Sequence, residues 1–507
     1  MIGWRDGEDR LHRDSLFGVF AALARGDAWS FPALRPHQRE PWHAFTVQVA
    51  ALALIRAGRD DLPGDEAAWR DLLIALTPDQ PGGEAWSLVV DDWAQPALLQ
   101  PPVLPPANRA DYKGTLATPD ALDMLVTAKN HDVKQERMAG GSDEDWLFAL
   151  VTLQTMEGIM GAGKYGISRM FGGYGNRMSL SLRPMTGGQA AIFRRDVRIL
   201  VNTARTRPDR RRETALLWTV PWDGTVSLDI ETLDELYVEI CRRIRLRRTP
   251  DGLSALAAGS KCARVAGDTL GGNTGDPWMP LVIDTKKERK DTFGKLVGVT
   301  PSKAGFGYRQ MTNLLDPQKV TEPLLAKLDD DDDREGLAFV AAALVRGQGK
   351  TEGLHRRTVR TGRIEQIELF GDKTVLDRVG NVARIRSDEA AEAGRRLRRA
   401  LFMLIQGGPD EVRFDDESAG RKAEPWVRRF DGLVDRVFFD AALWAEAAND
   451  DGDHRLVWRE RLRALADTVF LEAAETAPRT EMRRIRAIAR GRAMLDGEMA
   501  KWLREVA

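Results

Sequence analysis

The C-terminal part of the chain repeats apolar residues at helical spacing. The repeats cover Glu389–Ile405, Trp426–Ala448, His454–Ala474 and Arg479–Val506. An apolar residue every three to four positions gives each helix one stripe to bury against a neighbour. Short breaks containing glycine, asparagine or proline separate the four segments. Helices of this length with short joins predict a four-helix bundle over residues 387–507.

Residues 1–386 mix helical and strand periodicity, which predicts one large mixed domain. Helical patterns cover Ser15–Leu23, Ala44–Ile55, Ala121–Lys129, Asp143–Glu157 and Leu337–Val345, and a further one runs from Leu233 through the basic run Arg242–Arg248. Strand patterns cover Ser179–Arg183, Val197–Val201, Leu216–Val220, Ile364–Phe370 and Thr374–Val379. The predicted fold class is therefore α+β, a large mixed N-terminal domain followed by the C-terminal four-helix bundle.

Composition narrows the cellular setting but not the function. The 507 residues are 43% apolar and carry a net charge of −1, so bulk charge does not indicate a polyanionic partner. The two cysteines, Cys241 and Cys262, are too few for a disulfide framework or a four-cysteine zinc site. No run of about 18 apolar residues predicts a membrane span, and the N-terminus lacks an apolar signal core. We expect a cytoplasmic protein.

The stretch Gly158–Arg177 has an unusual composition. It holds seven glycines together with two tyrosines, one lysine and two arginines. Glycine lets a backbone adopt positive φ and approach another backbone closely. Lysine and arginine supply charge for phosphates, and tyrosine supplies a flat face for bases or sugars. We interpret this stretch as a loop that approaches a nucleic-acid backbone.

Two other interpretations of this stretch stay open. Gly158, Gly163 and Lys164 match the start of a phosphate-binding P-loop, but Tyr165 stands where that motif needs serine or threonine for Mg²⁺. A P-loop also follows a strand and opens a helix, whereas the segment upstream reads as a helix. The third interpretation is a flexible loop without a ligand. The alternatives for the whole chain are accordingly an NTPase that uses Gly158–Lys164 and a structural scaffold without DNA contact.

Other candidate segments are polar or basic. Lys129, Asn130, His131 and Lys134 lie in a polar segment that could contact bases or phosphates or could be a solvated loop. Arg242–Arg248 is either a solvated or partner-facing surface or a contact for a nucleic-acid backbone.

His37 and His43 lack metal-ligand spacing and read as structural or capping residues. No known catalytic motif is present, which favours a binding protein.

The order of these segments resembles the CasA family, the large subunits of the type I-E CRISPR surveillance complexes called Cascade. The shared order is a helix start at Arg35–His43, a polar loop after a Thr-Pro helix start, a glycine-rich loop, a mixed middle and a helical bundle. The resemblance implies a non-enzymatic subunit that recognises the protospacer-adjacent motif (PAM) in double-stranded DNA. It also implies help in nucleating duplex unwinding and R-loop formation, and a docking platform for an effector nuclease in antiviral defence.

The resemblance also implies partners and site residues. The partners would be double-stranded target DNA, CRISPR guide RNA, the other Cascade subunits and a helicase–nuclease, with no membrane, cofactor or metal. The implied DNA-binding residues are those of a glycine loop and of a wedge at a hairpin tip: Gly161, Ala162, Gly163, Lys164, Tyr165, Ser168, Arg169, Gly371, Asp372 and Lys373. The implied contacts to guide RNA and the complex are Lys129, Asn130, His131 and Lys134. Lys286, Lys287 and Lys290 are candidates for a separate DNA-contacting lysine.

Overall fold

The structure is a computed structural model that describes residues 1–123, 140–158, 163–171, 177–332, 336–347, 350–361, 373–448, 453–476 and 480–506. The chain forms two compact units. The first comprises residues 1–305 and 320–358, and the second comprises residues 306–319 and 359–507. The boundary predicted at residues 386–387 falls inside a helix that runs from Lys373 to Ile405.

The helices of the first unit form its apolar core. They are α1 (Leu16–Arg25), α2 (Arg39–Ala57), α3 (Glu66–Ala75), α4 (Asp143–Met156) and α5 (Gly188–Thr206). Serine caps two of them: Ser15 accepts a hydrogen bond from the backbone N–H of Gly18, and Ser142 accepts one from that of Asp145. Helices α1, α2, α4 and α5 pack together. The predicted helices at Ser15–Leu23, Ala44–Ile55 and Asp143–Glu157 are confirmed.

Small sheets surround these helices. The strands are β1 (Ile2–Arg5), β2 (Leu11–Asp14), β3 (Gly114–Leu116), β4 (Ser179–Pro184), β5 (Thr214–Leu216), β6 (Leu233–Val238), β7 (Arg243–Thr249), β8 (Gly252–Ala258), β9 (Leu281–Ile283), β10 (Leu296–Gly298), β11 (Leu337–Gly347) and β12 (Lys350–Arg360). Two sheets have three strands, in the orders β12-β11-β4 and β3-β8-β7. Strands β4 and β11 are antiparallel, with Leu337 opposite Pro184 and Ala342 opposite Ser179. The predicted strand at Ser179–Arg183 is confirmed.

Two apolar segments were assigned to the wrong element. Leu337–Val345, predicted as a helix, is strand β11, and all nine of its residues are buried. A segment that is buried on every side shows neither helical nor strand periodicity, so its pattern cannot separate the two. Val197–Val201, predicted as a strand, lies inside helix α5, whose buried positions also include Phe193. The helical period becomes visible only over the longer segment.

Two further predictions around charged residues are wrong. The region from Leu233 through Arg248 forms strands β6 and β7 rather than one helix. In β7, Arg243 and Arg245 are buried, and Arg245 donates to three backbone carbonyls, so these two charges do not face solvent. Thr374–Val379, predicted as a strand, is helical, which leaves no second strand for the predicted hairpin at 371–373.

The second unit contains the predicted helical bundle. Its helices are α6 (Tyr308–Leu314), α7 (Lys373–Ile405), α8 (Glu417–Val437), α9 (Ala441–Ala448), α10 (Asp453–Ala474) and α11 (Glu481–Leu503). Helix α7 packs on α8, α10 and α11 and contributes Leu401 to a fully buried set with Phe430, Leu462 and Leu495. The helix predicted over Trp426–Ala448 is broken after Val437, and the short α9 follows. None of the helices in the described ranges is long and apolar enough to cross a membrane.

The arginines on the outside of the bundle are mostly paired with acidic side chains. The pairs are Arg395 and Arg396 with Glu392, Arg398 with Glu424, Arg399 with Glu498, Arg486 and Arg490 with Asp410, and Arg492 with Asp467 and Asp496. Pairing leaves little net positive potential for phosphates on these helices. The bundle surface is therefore balanced, and the candidate site lies in the first unit.

Candidate nucleic-acid interface

The glycine-rich stretch is not arranged as a P-loop where the structure describes it. Helix α4 precedes it, whereas a P-loop follows a strand. Residues 163–171 contain no helix, whereas a P-loop lysine opens one. Gly161 and Ala162, which the resemblance places in a DNA-contacting loop, lie outside the described residues. The geometry of 163–171 therefore disfavours the nucleotide-binding interpretation.

Close backbone approaches hold Gly163 in place. Gly163 has a φ of 77°, in the left-handed region that favours glycine, and its carbonyl accepts a hydrogen bond of 3.3 Å from the N–H of Ser260. Lys261 in turn donates its N–H to the carbonyl of Gly224 at 2.6 Å. These contacts place two exposed lysines, Lys164 and Lys261, in loops that meet at the Gly163–Ser260 hydrogen bond. Tyr165 is half-buried, and Arg242 hydrogen-bonds to its carbonyl.

Ser168 anchors the same loop from inside the protein. Its N–H and hydroxyl both donate to the Glu239 carboxylate, at 2.9 Å and 2.7 Å, and its hydroxyl lies 2.6 Å from that of Tyr237. Arg169 places its guanidinium 4.0 Å from the centre of the Tyr237 ring and donates to the Tyr237 carbonyl at 2.8 Å. Both side chains are buried, so they face the protein interior rather than a DNA groove. We therefore revise the DNA contacts implied for Ser168 and Arg169 to a supporting role.

A buried ion pair continues this support beyond the loop. Arg177 donates two hydrogen bonds to Asp276, at 2.5 Å and 2.8 Å, and Arg169 lies 3.7 Å from the same carboxylate. Gln48 on α2 accepts from Arg177 at 3.3 Å and donates to the carbonyl of Tyr237 at 3.0 Å. The network thus links the loop to strand β6 and to the helical core.

Glu239 gives this network a dependence on pH. Burial raises the pKa of its carboxyl from 4.5 to about 7, against the opposing effects of the hydrogen bonds from Ser168 and the charges of Arg169 and Arg177. Between these two pH values the folded protein holds a proton that the unfolded chain has released. Stability from this group is therefore complete below about pH 4.5 and declines as the pH rises through about 7.

We expect Glu239→Gln to flatten the pH profile of thermal stability between pH 5 and 8. The fall in the free energy of unfolding across this range should shrink by roughly 1.4 kcal/mol for each unit of pKa shift removed. Glutamine keeps an acceptor for Ser168 but does not titrate. Unfolding midpoints measured by circular dichroism across this range test the prediction. Glu231→Gln, at an exposed position nearby, should keep the wild-type profile. An unchanged slope in Glu239→Gln would contradict the assignment.

A cationic hairpin packs against the far end of the glycine loop. Strands β9 and β10 pair antiparallel, and residues 284–295 connect them. Arg289 in this connection places its guanidinium 4.5 Å from the centre of the Phe171 ring, and the Thr300 hydroxyl donates to the Phe171 carbonyl at 2.9 Å. Gly298 donates to Gly271 at 2.8 Å, and a side chain on Gly271 would collide with Val297 and Phe171. The hairpin therefore packs on the Phe171 end of the loop, and the exposed residues of these two segments are the candidate surface.

Four exposed lysines lie on the hairpin. They are Lys286, Lys287, Lys290 and Lys295, and no ion pair joins any of them to another residue in the part of the chain that the structure describes. Between residues 286 and 295 five basic residues stand against two acidic ones. Lysines that form no ion pair remain available to attract phosphates, and basic side chains outnumber acidic ones in this connection. This surface can therefore hold a polyanion.

Some predicted site residues are not brought to this surface. Lys129, Asn130, His131, Lys134, Gly371 and Asp372 lie outside the described residues, and Lys373 is the first residue of helix α7 rather than a hairpin tip. Conversely, Lys261, Phe293 and Lys295 belong to the surface but carried no signal in the sequence. They lie about 100 or more positions from Gly163, so only the fold brings their segments together.

The two histidines at the start of α2 have internal carboxylate partners. His37 lies 2.7 Å from Asp123, and His43 lies 2.8 Å from Asp196, with all four side chains buried. These pairs agree with the predicted structural role. Among the described residues, no group of three or more histidine, cysteine, aspartate or glutamate side chains is placed to share a metal ion.

Comparison with known proteins identifies the fold. No protein-family model and no curated protein matches the sequence. Solved structures match over nearly the whole chain. Cse1 of Acidimicrobium ferrooxidans, a CRISPR-associated protein, is 14% identical, with a TM-score of 0.65 over 100% of this chain and 97% of that one. CasA of Thermus thermophilus is 15% identical, with a TM-score of 0.62 over 99% and 98%. Cse1 of Thermobifida fusca is 13% identical, with a TM-score of 0.62 over 98% and 96%. The chain has a CasA-like α+β fold, as predicted.

Proposed function

We propose that this chain is the large subunit of a Cascade-type, RNA-guided CRISPR complex and that it recognises a PAM in double-stranded DNA. The observation that carries the proposal is the likeness to CasA and Cse1 structures across 98–100% of the chain. The surface formed by the glycine loop and the lysine hairpin supports it. In this proposal protein contacts read the short motif, while base pairing with the guide RNA reads the longer sequence.

The loop and the hairpin would divide the work of DNA binding. Gly163 has no side chain, so the backbone at this position could approach a DNA groove closely. In the minor groove it would meet a degenerate pattern of hydrogen-bond donors and acceptors, which separates A·T from G·C pairs but little more. Lys164, Lys261 and the hairpin lysines would neutralise phosphates on either side and fix the register of the duplex. The buried network around Ser168 and Arg169 would hold the loop rigid, so little conformational entropy is lost on binding.

The remaining parts of the proposal rest on the family resemblance. The subunit would help to nucleate unwinding and R-loop formation, contact guide RNA through Lys129, Asn130, His131 and Lys134, and dock a helicase–nuclease. It would act without an active site of its own. Other Cascade subunits would be its permanent partners in the cytoplasm.

Gly163→Leu is expected to lower the affinity of the guide-loaded complex for motif-bearing DNA by about tenfold or more, the scale of losing recognition at one or more base pairs. The new side chain would occupy the space that the groove needs, and it would also strain a backbone with positive φ. Binding of the complex to targets with and without the motif measures the effect, and co-purification of the other subunits checks assembly.

Gly58→Leu is the matched control. Gly58 also has a positive φ, 65°, and open space around it, but it ends helix α2 and makes none of the contacts described for the loop. It should carry the same backbone strain without losing motif recognition. Normal target binding by Gly163→Leu would contradict the loop assignment. Two other results would favour the alternatives. An NTPase is favoured if the protein hydrolyses ATP with Mg²⁺ and Lys164→Ala abolishes that activity. A structural scaffold without DNA contact is favoured if crosslinking of the complex to DNA never reaches Lys164.

A further inference from the structure

One aromatic side chain stands exposed among the hairpin lysines. Phe293 leaves 47% of its surface open to solvent, which is unusual for a residue of this size and hydrophobicity. Two more exposed apolar residues, Ile283 and Leu296, face each other across the β9–β10 pair. The hairpin therefore carries exposed apolar side chains together with exposed lysines.

The backbone beneath Phe293 is held firmly. Its N–H donates to the carbonyl of Arg289 at 2.8 Å, and the next N–H, that of Gly294, donates to the carbonyl of Asp284 at 2.8 Å. The Asp284 carboxylate accepts from the Thr292 hydroxyl at 2.7 Å and from the N–H of Lys286 at 3.1 Å. The ring is thus exposed on a fixed support, and its exposure does not come from a loosely held loop.

An aromatic ring among lysines that form no ion pair suits a single-stranded nucleic acid best. The lysines attract phosphates, and the ring offers a face on which a base can stack. Bases inside a duplex already stack on their neighbours, so only an unpaired base is free to use the ring. A hydrophobic protein partner would have to bury the four lysine charges without compensation.

We propose that Phe293 is a stacking platform for an unpaired base, and that the hairpin lysines hold the backbone of the same single strand. This inference rests on the proposed function, because the opened target DNA supplies the single strand next to the motif. The glycine loop and the hairpin lysines would hold the duplex. The hairpin, joined to the loop through Arg289 and Phe171, would also hold the strand at the point where it leaves the duplex.

The test compares single-stranded and double-stranded DNA on the full chain. Phe293→Ala should weaken binding of a short labelled oligonucleotide by roughly tenfold or more, the scale of one base–aromatic stack, and should leave binding of a blunt duplex within about twofold. Phe293→Trp should restore the single-strand affinity. Phe414→Ala is the matched control, since Phe414 is equally exposed, at 47%, in the second unit.

The outcomes separate the two proposals. If the wild-type chain binds neither nucleic acid, and the guide-loaded complex does not bind its target, the proposed function fails and the inference fails with it. If the wild type binds both and Phe293→Ala loses nothing, or loses single strand and duplex equally, the inference alone is wrong. Tighter Phe293-dependent binding to polyglutamate than to the oligonucleotide at equal salt would assign the patch to an acidic protein partner and overturn it.

Discussion

Asp276→Ala is expected to destabilise the first unit by about 3–5 kcal/mol, the cost of leaving a buried charge without its partner. Asp276 is buried and accepts two hydrogen bonds from Arg177, while Arg169 lies 3.7 Å away. Without the carboxylate, both guanidiniums remain buried and lack their acidic partner. Because Arg169 also packs on the Tyr237 ring beneath the glycine loop, the loop should lose its support as well.

Calorimetric unfolding of the full chain measures this loss, and Asp410→Ala provides the matched control. Asp410 also pairs with two arginines, Arg486 and Arg490, but its side chain is 79% exposed. Solvent screens an exposed pair, so it contributes little to stability and this variant should unfold nearly as the wild type does. Equal midpoints for the two variants would contradict the supporting role of Asp276.

The same pair should respond to acid. Burial opposes ionisation of Asp276, but the guanidiniums of Arg177 and Arg169 outweigh it and hold the pKa of the carboxyl below its usual 3.8. Stability from this carboxylate is therefore complete above about pH 4 and is lost as the pH falls through the lower value of the folded state. This direction is opposite to that of Glu239.

Replacing Lys286, Lys287, Lys290 and Lys295 together with glutamine is expected to lower the affinity for duplex DNA by on the order of 10²-fold at moderate salt. Each lysine that contacts a phosphate releases a bound counterion from B-DNA. The slope of log affinity against log salt should therefore become shallower by about 3 to 4. Anisotropy titrations of a labelled duplex over about 50–200 mM salt measure both quantities.

The control removes the same charge from the bundle. Arg395, Arg421, Arg429 and Arg486 are each at least 43% exposed and paired with an acidic side chain, so changing them to glutamine matches the loss of four positive charges. This variant should keep the wild-type salt slope, because paired arginines attract few phosphates. Equal losses in the two variants would mean that net charge, and not the hairpin, drives binding.

Several features of this protein follow from its sequence alone, because they depend on local spacing. The amphipathic repeats after residue 387 predict the bundle, since a helix needs only its own periodicity to show which stripe it buries. Helical spacing of apolar residues likewise predicts α1 and α4. Tyr165 in place of serine or threonine already argues against a P-loop, and the order of the segments predicts the fold.

Only the tertiary structure decided which residues of the glycine stretch face outward. Ser168 and Lys164 look equally suited to a ligand in the sequence, but Ser168 meets Glu239, 71 positions away, and Arg177 meets Asp276, 99 positions away. Such partners come together because several elements pack at once, and no local pattern records that packing. The same holds for residues 337–345 of β11, whose burial hides their period, and for the lysine hairpin, which becomes part of the site only where Arg289 reaches Phe171. Local spacing thus determined the amphipathic helices, and long-range packing determined the fully buried strand and the surface that the elements form.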